Sequence, residues 1–147
     1  MIAKERLNDA DAETHYDLGL AYREMGLIDQ AISEFRLVLE TPGRAVQCHL
    51  MIGLCHQQQG RFQDAVDEFK VALEVPEITE REALALFYEL GIGYDSLGDA
   101  REAAFYFEGV KKRDPRFREV ERRLQAARAK LGPRGAMDTP DGSRSTR

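Results

Sequence analysis

Two cysteine–histidine pairs stand seven residues apart in the middle of the chain, at Cys48-His49 and Cys55-His56. Thiolate and imidazole groups are good zinc ligands, and two of each would complete a tetrahedral site. The segment around them has the apolar spacing of a helix, however, and residues seven apart on a helix lie about 10.5 Å apart along its axis. Zinc–ligand bonds are only about 2.0–2.3 Å long, so one helix cannot bring these four residues to one ion. We therefore predict no metal site.

The same separation excludes a disulfide between Cys48 and Cys55, because bridged cysteines have Cα atoms about 4.4–6.8 Å apart. We predict that both cysteines are free and act as small buried hydrophobes. We also predict that His49 and His56 stand where the core would otherwise hold aromatic residues.

Motifs for catalysis are missing from the sequence. None of GxxxxGK[ST], GxSxG, HExxH or GxGxxG occurs, so nucleotide-binding and hydrolytic signatures are absent. Gly91-Ile92-Gly93 lies within a helical pattern and lacks the third glycine of a phosphate-binding loop. We predict no catalytic residue and no cofactor, and therefore no enzyme.

A recurring frame of small and aromatic residues must position these side chains. Leu18-Gly19 is followed by Tyr22, Gly26, Ala31 and Phe35. The same order returns at Ile52-Gly53, His56, Gly60, Ala65 and Phe69, and again at Leu90-Gly91, Tyr94, Gly98, Ala103 and Phe107. The glycines of the frame are 34 and then 38 residues apart. A period of this length indicates an array of helical repeats, in which each repeat must stack on its neighbours to bury its apolar face.

With this frame, the chain resembles the tetratricopeptide repeat family over about residues 12–131. The resemblance implies an all-α fold, a right-handed α-solenoid of three helix-turn-helix repeats followed by a capping helix. The chain departs from the family pattern where a large aromatic residue is expected three positions before each Leu/Ile-Gly pair, since these positions are His15, His49 and Phe87.

The repeats divide the chain into segments. We predict an N-terminal lead-in over 1–11, repeats over about 12–45, 46–79 and 80–114, a capping helix over 115–131, and a disordered tail over 132–147. Within the repeats, helices are expected at about 12–25, 29–40, 45–59, 62–75, 80–97 and 99–112. Thr79 followed by Glu82 has the pattern of a capping box, and Asp114-Pro115 has that of a helix start.

The first helix of each such repeat lines the concave face of the array in this family. Two positions point most directly into it, two residues before and one residue after the Leu/Ile-Gly pair. Both are apolar or aromatic in all three repeats: Tyr16, Leu50 and Tyr88, then Leu20, Leu54 and Ile92. A residue facing solvent has no packing reason to be apolar in every repeat. We therefore predict a protein-binding groove, with Arg23, Gln57 and Asp95 beside its floor.

This placement separates groove residues from core residues. Leu54 is expected to face solvent in the centre of the groove, so that Leu54→Asp leaves folding unchanged. Leu18, on another face of its helix, is expected to be buried.

Charge is distributed unevenly along the chain. Residues 1–110 hold 9 basic and 21 acidic residues, a net charge of −12, whereas residues 111–147 hold 12 basic and 5 acidic residues, a net charge of +7. The acidic body argues against nucleic acid as a partner. The basic end has two alternative roles, a solvated cap or a contact for phosphates or an acidic protein. Its members are Lys111, Lys112, Arg113, Arg116, Arg118, Arg122 and Arg123.

The predicted function is a non-catalytic interaction module that binds an amphipathic helix or apolar loop with basic flanks. Chaperone-tail-binding members of the family hold a peptide carboxylate with Lys, Arg and Asn, and this chain has Tyr16 and Leu20 in such positions. Its repeat style resembles bacterial modules that assemble cytoplasmic, motility or pilus-associated machinery, for which a small Ras-like GTPase is one class of partner. The alternative is a self-associating structural protein. Without an apolar run long enough to span a bilayer, we expect no membrane insertion and a cytoplasmic location.

Overall fold

The computed structural model describes residues 7–137, and within them the chain forms seven α-helices and no β-strand. The helices are α1 (Asp9–Glu24), α2 (Ile28–Val38), α3 (Ala45–Gln58), α4 (Phe62–Leu73), α5 (Glu80–Ser96), α6 (Ala100–Arg113) and α7 (Val120–Met137). The all-α fold of helical hairpins is thus confirmed. The predicted helix bounds lie within three residues of the observed ones, except in α7.

The chain divides into two compact units, unit 1 (Met1–Ile78) and unit 2 (Thr79–Arg147). Unit 1 contains the hairpins α1–α2 and α3–α4, and α2 also packs against α3. Unit 2 contains the hairpin α5–α6, with α7 packed on α6.

Glycine ends the first helix of each hairpin in the same way. Gly26, Gly60 and Gly98 have φ values of 77–80°, a left-handed conformation in which a side chain is strained. The residue after each glycine donates its backbone N–H to a carbonyl five residues earlier, as from Leu27 to Tyr22 at 2.9 Å. This is the Schellman motif, which satisfies the last carbonyls of a helix while reversing the chain.

Side-chain caps fix the start of the first helix in each unit. Asn8 Oδ1 accepts the backbone N–H of Asp11 at 2.8 Å, ahead of α1. Ahead of α5, Thr79 and Glu82 form a complete capping box, in which each side chain accepts the backbone N–H of the other residue. The predicted capping box is therefore present, and it explains why α5 begins at Glu80.

The frame glycines make room for an aromatic ring in every hairpin. A Cβ added to Gly19 would lie 2.7 Å from the ring of Phe35, and one on Gly53 would lie 2.3 Å from Phe69. In unit 2 the same Cβ on Gly91 would lie 2.5 Å from Phe107. The three phenylalanines are at most 1% exposed. Each hairpin is thus closed by a ring lying on a glycine, a contact that any side chain would block.

The seventh helix starts later than predicted. α7 begins at Val120, and residues 115–119 form turns in which the Asp114 side chain accepts the backbone N–H of Arg116 at 3.1 Å. Arg118 has a φ of 45°, which is incompatible with a continuous right-handed helix. Val120, Leu124 and Ala127 form the buried face of α7. Phe117, within the predicted span 115–131, lies before the helix.

The ends of the chain were predicted to be a lead-in and a disordered tail. Residues 1–6 and 138–147 lie outside the described residues. Within the predicted tail, the helix breaks at Gly132, which has a φ of 74°, and residues 133–137 are helical. Among the helices that the structure describes, none is long and apolar enough to cross a membrane.

Candidate protein-binding surface

Four of the predicted groove residues form an apolar surface on unit 1. Tyr16 and Leu20 belong to α1, and Leu50 and Leu54 lie one turn apart on α3; all four are half-buried. Tyr16, Leu20 and Leu54 pack from outside on one buried cluster, composed of Ala31, Phe35, Met51, Ile52 and Cys55. We call these four residues the α1–α3 surface. Apolar side chains there remain partly in contact with solvent, so their burial by a partner would be favourable.

Two polar residues predicted to flank this surface are placed beside it. Arg23 donates from Nε to the side-chain oxygen of Gln58 at 3.2 Å and so connects α1 with α3. The side-chain nitrogen of Gln57 is buried and has no hydrogen-bond partner within the described residues. The neighbouring acidic residues Glu13, Asp17 and Glu24 are exposed on α1, and with Arg23 and Arg44 close by, acidic residues outnumber basic ones around the surface.

The predicted difference between Leu18 and Leu54 is not found. Leu18 is 38% exposed, whereas Ile52, at the same frame position one repeat later, is fully buried. Ile52 is buried because it packs on Ala31 and Phe35 of the preceding hairpin, and no described helix precedes α1 to cover Leu18. Leu54 is half-buried against the same cluster, so Leu54→Asp must cost some folding stability as well. The expectation that Leu18 is buried was wrong, and Leu54 faces solvent only in part.

In unit 2 the corresponding tyrosine is covered, against the expectation that it faces an open groove. Tyr88 is only 4% exposed. Phe117 meets its ring edge-on at 5.6 Å, and the guanidinium of Arg118 lies 5.2 Å from the ring centroid. Arg123 donates from Nε to the Tyr88 hydroxyl at 3.1 Å. The chain that leads into α7 therefore fills the place where a partner was expected.

Asp95 and Ile92 are the other predicted groove residues of unit 2. Asp95 pairs with Lys130 of α7 at 2.6 Å, and Ile92 is half-buried. Glu89, next to Tyr88, pairs with Arg118 at 3.1 Å. Arginine and lysine from the C-terminal segment thus neutralise the acidic face of α5.

The basic end is largely paired within its own unit. Lys111 contacts Glu121 at 2.8 Å, Arg113 contacts Glu80 at 3.6 Å, and Arg122 contacts Glu119 at 2.7 Å. Arg128 and Glu108 form a further ion pair. This internal pairing favours the capping role for the basic end over a phosphate-binding one.

Two histidine–glutamate pairs connect the helices of the unit 1 hairpins. His15 Nδ1 lies 2.6 Å from Glu34, and His49 Nδ1 lies 2.5 Å from Glu68. Burial of Glu68 favours its neutral form, but the hydrogen bond from His49 and the charge of Arg36 outweigh it, so the pKa of Glu68 lies below its usual 4.5. His49 is therefore not a plain aromatic substitute, since it holds a carboxylate.

The cysteines lie as predicted. Cys48 and Cys55 are free and fully buried. Burial raises the pKa of the Cys48 thiol to about 11, although the charge of Arg44 opposes the shift. The part of the chain that the structure describes contains no group of three or more His, Cys, Asp or Glu side chains that could hold a metal ion.

Comparison with known proteins agrees with this architecture. Residues 12–41, which cover the first hairpin, match the family model for a tetratricopeptide repeat. Comparison with curated protein sequences gives no match.

Similar solved structures cover most of the chain. A MamA structure matches 82% of the chain with 22% identity and a TM-score of 0.68, and the matched region is 64% of the MamA chain. The first tetratricopeptide domain of Spaghetti (RPAP3), bound to the HSP90 peptide SRMEEVD, matches 87% of the chain and 98% of its own, with 16% identity and a TM-score of 0.73. PcrH in complex with the chaperone binding region of PopB matches 86% and 99%, with 19% identity and a TM-score of 0.65. At these identities the likeness shows a shared fold alone.

Proposed function

From the premise that this chain belongs to the tetratricopeptide repeat family, we propose that it is a non-catalytic module that binds a segment of another protein on the α1–α3 surface. The observation that carries the proposal is the partial exposure of Tyr16, Leu20, Leu50 and Leu54. These four apolar side chains stand on the first helices of two consecutive repeats, and each retains contact with solvent. Members of this family are generally interaction modules rather than enzymes.

The chemistry of the surface defines the kind of segment it fits. An apolar floor binds apolar anchors, because partner binding removes both surfaces from water. Exposed Asp17 and Glu13 favour basic residues at the flanks of the anchor. The partner segment is therefore an amphipathic helix or apolar loop with basic neighbours. The peptide in the Spaghetti complex, SRMEEVD, has three acidic residues and one basic residue, whereas the exposed acidic residues beside the α1–α3 surface favour basic flanks.

The wider setting of the proposal is cytoplasmic and bacterial. A module of this kind would form part of a larger scaffold, such as motility or pilus-associated machinery, and a small Ras-like GTPase is one class of partner that it admits.

A second function, self-association, is favoured by one observation, the 38% exposure of Leu18. A second copy placed against this apolar position would bury it, as the preceding hairpin buries Ile52. Light scattering over a hundredfold range of concentration separates the two functions. A molar mass that stays at the monomer value would exclude self-association and favour partner binding. A mass that rises with concentration, but not in the Leu18→Asp variant, would establish self-association.

Partner binding is tested by selecting displayed random peptides on the immobilised full chain. We expect apolar peptides with basic flanks that bind the wild type and lose binding to Leu54→Asp, as a central contact in an interface does. Because Leu54→Asp also affects the core, the milder Leu50→Gln is tested beside it, and circular dichroism establishes that both variants are folded.

The matched control is Leu37→Asp, which makes the same change at a 45% exposed leucine on α2. It should retain all selected peptides. Equal loss of binding in Leu37→Asp and Leu54→Asp, or no peptide selected at all, would refute the proposed surface.

A further inference from the structure

Both units have a tyrosine followed by an acidic residue at the same position of the frame, 72 residues apart. Tyr16-Asp17 precedes Leu18-Gly19 as Tyr88-Glu89 precedes Leu90-Gly91. The tyrosine rings also have the same support, because Tyr16 meets Phe35 edge-on at 5.4 Å and 61°, and Tyr88 meets Phe107 at 5.7 Å and 67°. Each unit thus offers an aromatic ring with a carboxylate beside it.

In unit 2 the bound counterpart of this pair is visible. Phe117 packs edge-on against Tyr88, and Arg118 places its guanidinium over the same ring while pairing with Glu89 at 3.1 Å. Arg118 also lies over the Phe117 ring, at 5.0 Å from the centroid. One dipeptide, aromatic then arginine, therefore satisfies the ring and the carboxylate together, since a guanidinium can stack on a ring and bind a carboxylate simultaneously.

The backbone of this dipeptide is held in an unfavourable conformation. Arg118 has a φ of 45°, a left-handed value that is uncommon for residues other than glycine. Such a conformation persists where surrounding contacts stabilise it enough to offset the backbone strain. The contacts with Tyr88 and Glu89 are those that hold Arg118 in unit 2.

In unit 1 the same receptor pair is only partly occupied. Tyr16 is half-buried, in contrast to the 4% exposure of Tyr88, and Asp17 is exposed. The guanidinium of Arg44 lies 5.7 Å from the Tyr16 ring centroid, so one cation already stands by this ring. Tyr16 also packs on Val38 and Cys48. Among the residues that the structure describes, Tyr16 meets no aromatic ring besides Phe35, and Asp17 forms no ion pair. A second aromatic contact and an ion pair are therefore open to a segment from outside.

We propose that the segment bound by unit 1 carries an adjacent aromatic and arginine residue, which engage Tyr16 and Asp17 as Phe117 and Arg118 engage Tyr88 and Glu89. This inference rests on the proposed function and specifies the chemistry of the partner, a segment of another protein. The aromatic residue extends the apolar contact of the α1–α3 surface, and the arginine fixes the direction in which the segment runs.

The probe is a capped peptide with the sequence of residues 114–119, Asp-Pro-Arg-Phe-Arg-Glu, titrated into the isotope-labelled full chain and followed by NMR. We expect saturable shift changes at Tyr16 and Asp17. Asp17→Lys should weaken binding about fivefold, as loss of an exposed ion pair and a neighbouring cation–π contact would. Replacing the phenylalanine by alanine or the second arginine by glutamate in the peptide should weaken it similarly. Glu40→Lys, the same charge change at an exposed site after α2, is the matched control and should leave binding unchanged.

Several outcomes would overturn this inference. Among them are no binding below about 10 mM peptide, shifts located away from Tyr16, or equal weakening by Asp17→Lys and Glu40→Lys. A mass that rises with concentration and falls on Arg118→Glu would make the occupant a second copy, which also contradicts a foreign segment. Failure here differs from failure of the proposed function. If the displayed-library peptides depend on Leu54 but lack an aromatic–arginine pair, only this inference falls.

Discussion

Unit 1 and unit 2 use one hairpin frame and differ in what happens to its tyrosine. Tyr16 is half-buried, whereas Tyr88 is 4% exposed beneath Phe117, Arg118 and Arg123. Nothing in the supporting ring contacts explains this, since they are nearly the same in both units. The comparison shows that the segment following a hairpin can bury this frame position. Where no such segment covers it, as at Tyr16, the ring keeps contact with solvent.

A second difference concerns the partners that connect the two helices of each hairpin. In unit 1, His15 pairs with Glu34, and His49 pairs with Glu68. At the corresponding place in unit 2, Phe87 meets Tyr106 edge-on at 5.2 Å. The hairpins of unit 1 therefore hold a histidine–glutamate pair at the place where unit 2 holds an aromatic pair, and folding lowers the pKa of Glu68 in one of them.

The largest expected effect contrasts Leu90 with Leu18, which occupy the same frame position. Leu90→Asp places a carboxylate at a fully buried site and should cost about 4 kcal/mol or more of unfolding free energy. Leu18→Asp, at a 38% exposed site, should cost about 1 kcal/mol or less. Urea unfolding followed by circular dichroism measures both. Equal destabilisation by the two variants would show that Leu18 is buried in solution.

The next effect concerns the thiols, both of which lie in unit 1. With a pKa of about 11 instead of 9.0, Cys48 should form thiolate roughly a hundredfold less readily in the folded protein than in the unfolded chain. Alkylation by iodoacetamide at pH 8 should therefore be slow until unit 1 unfolds, after which two thiols per chain react. Fast alkylation under native conditions would mean that α3 is not packed as described.

A smaller effect is expected from removing the cover of Tyr88. Phe117→Ala deletes a half-buried ring and its edge-on contact, which should cost about 1–3 kcal/mol in unit 2. Tyr88 should also become more accessible to iodination, while the reactivity of Tyr16 stays unchanged. Unchanged reactivity of Tyr88 would show that the two arginines suffice to cover it.

The smallest effect is the pH dependence of unit 1. Since the pKa of Glu68 is lowered on folding, its stabilising contribution is present above about pH 4.5 and is lost as the pH falls through the folded-state pKa. Glu68→Gln should remove about 1 kcal/mol at pH 7 and flatten the acid limb of the stability curve. If Glu68→Gln loses stability at low pH as the wild type does, Glu68 is not the cause of that loss.

The sequence predicts the hairpins well because their causes are local. Gly26 and its equivalents end helices through contacts within six residues, and Thr79 and Glu82 form a cap within one turn. The frame glycines and phenylalanines also repeat at a fixed spacing, which identifies a contact that recurs in every hairpin. The fold class and the helix order follow from these patterns.

The candidate site is less predictable because its state depends on distant residues. Tyr16 and Tyr88 are indistinguishable by frame position, and Tyr88 is covered by side chains 29–35 residues further along the chain. The run of arginines after Pro115 was the available signal, but only the turn at Arg118 directs them towards α5. The exposure of Leu18 could not be predicted from its frame position either, because Leu18 is exposed where no described helix precedes α1.

The central claim is that a partner segment binds unit 1 at the α1–α3 surface while Tyr88 stays covered. Its most direct test is an NMR titration of the labelled full chain with the tightest peptide from the display selection. Binding should shift the signals of Tyr16, Leu20, Leu50 and Leu54 and leave those of Tyr88 and Ile92 in place. Shifts centred on Tyr88, or spread evenly over both units, would contradict the claim.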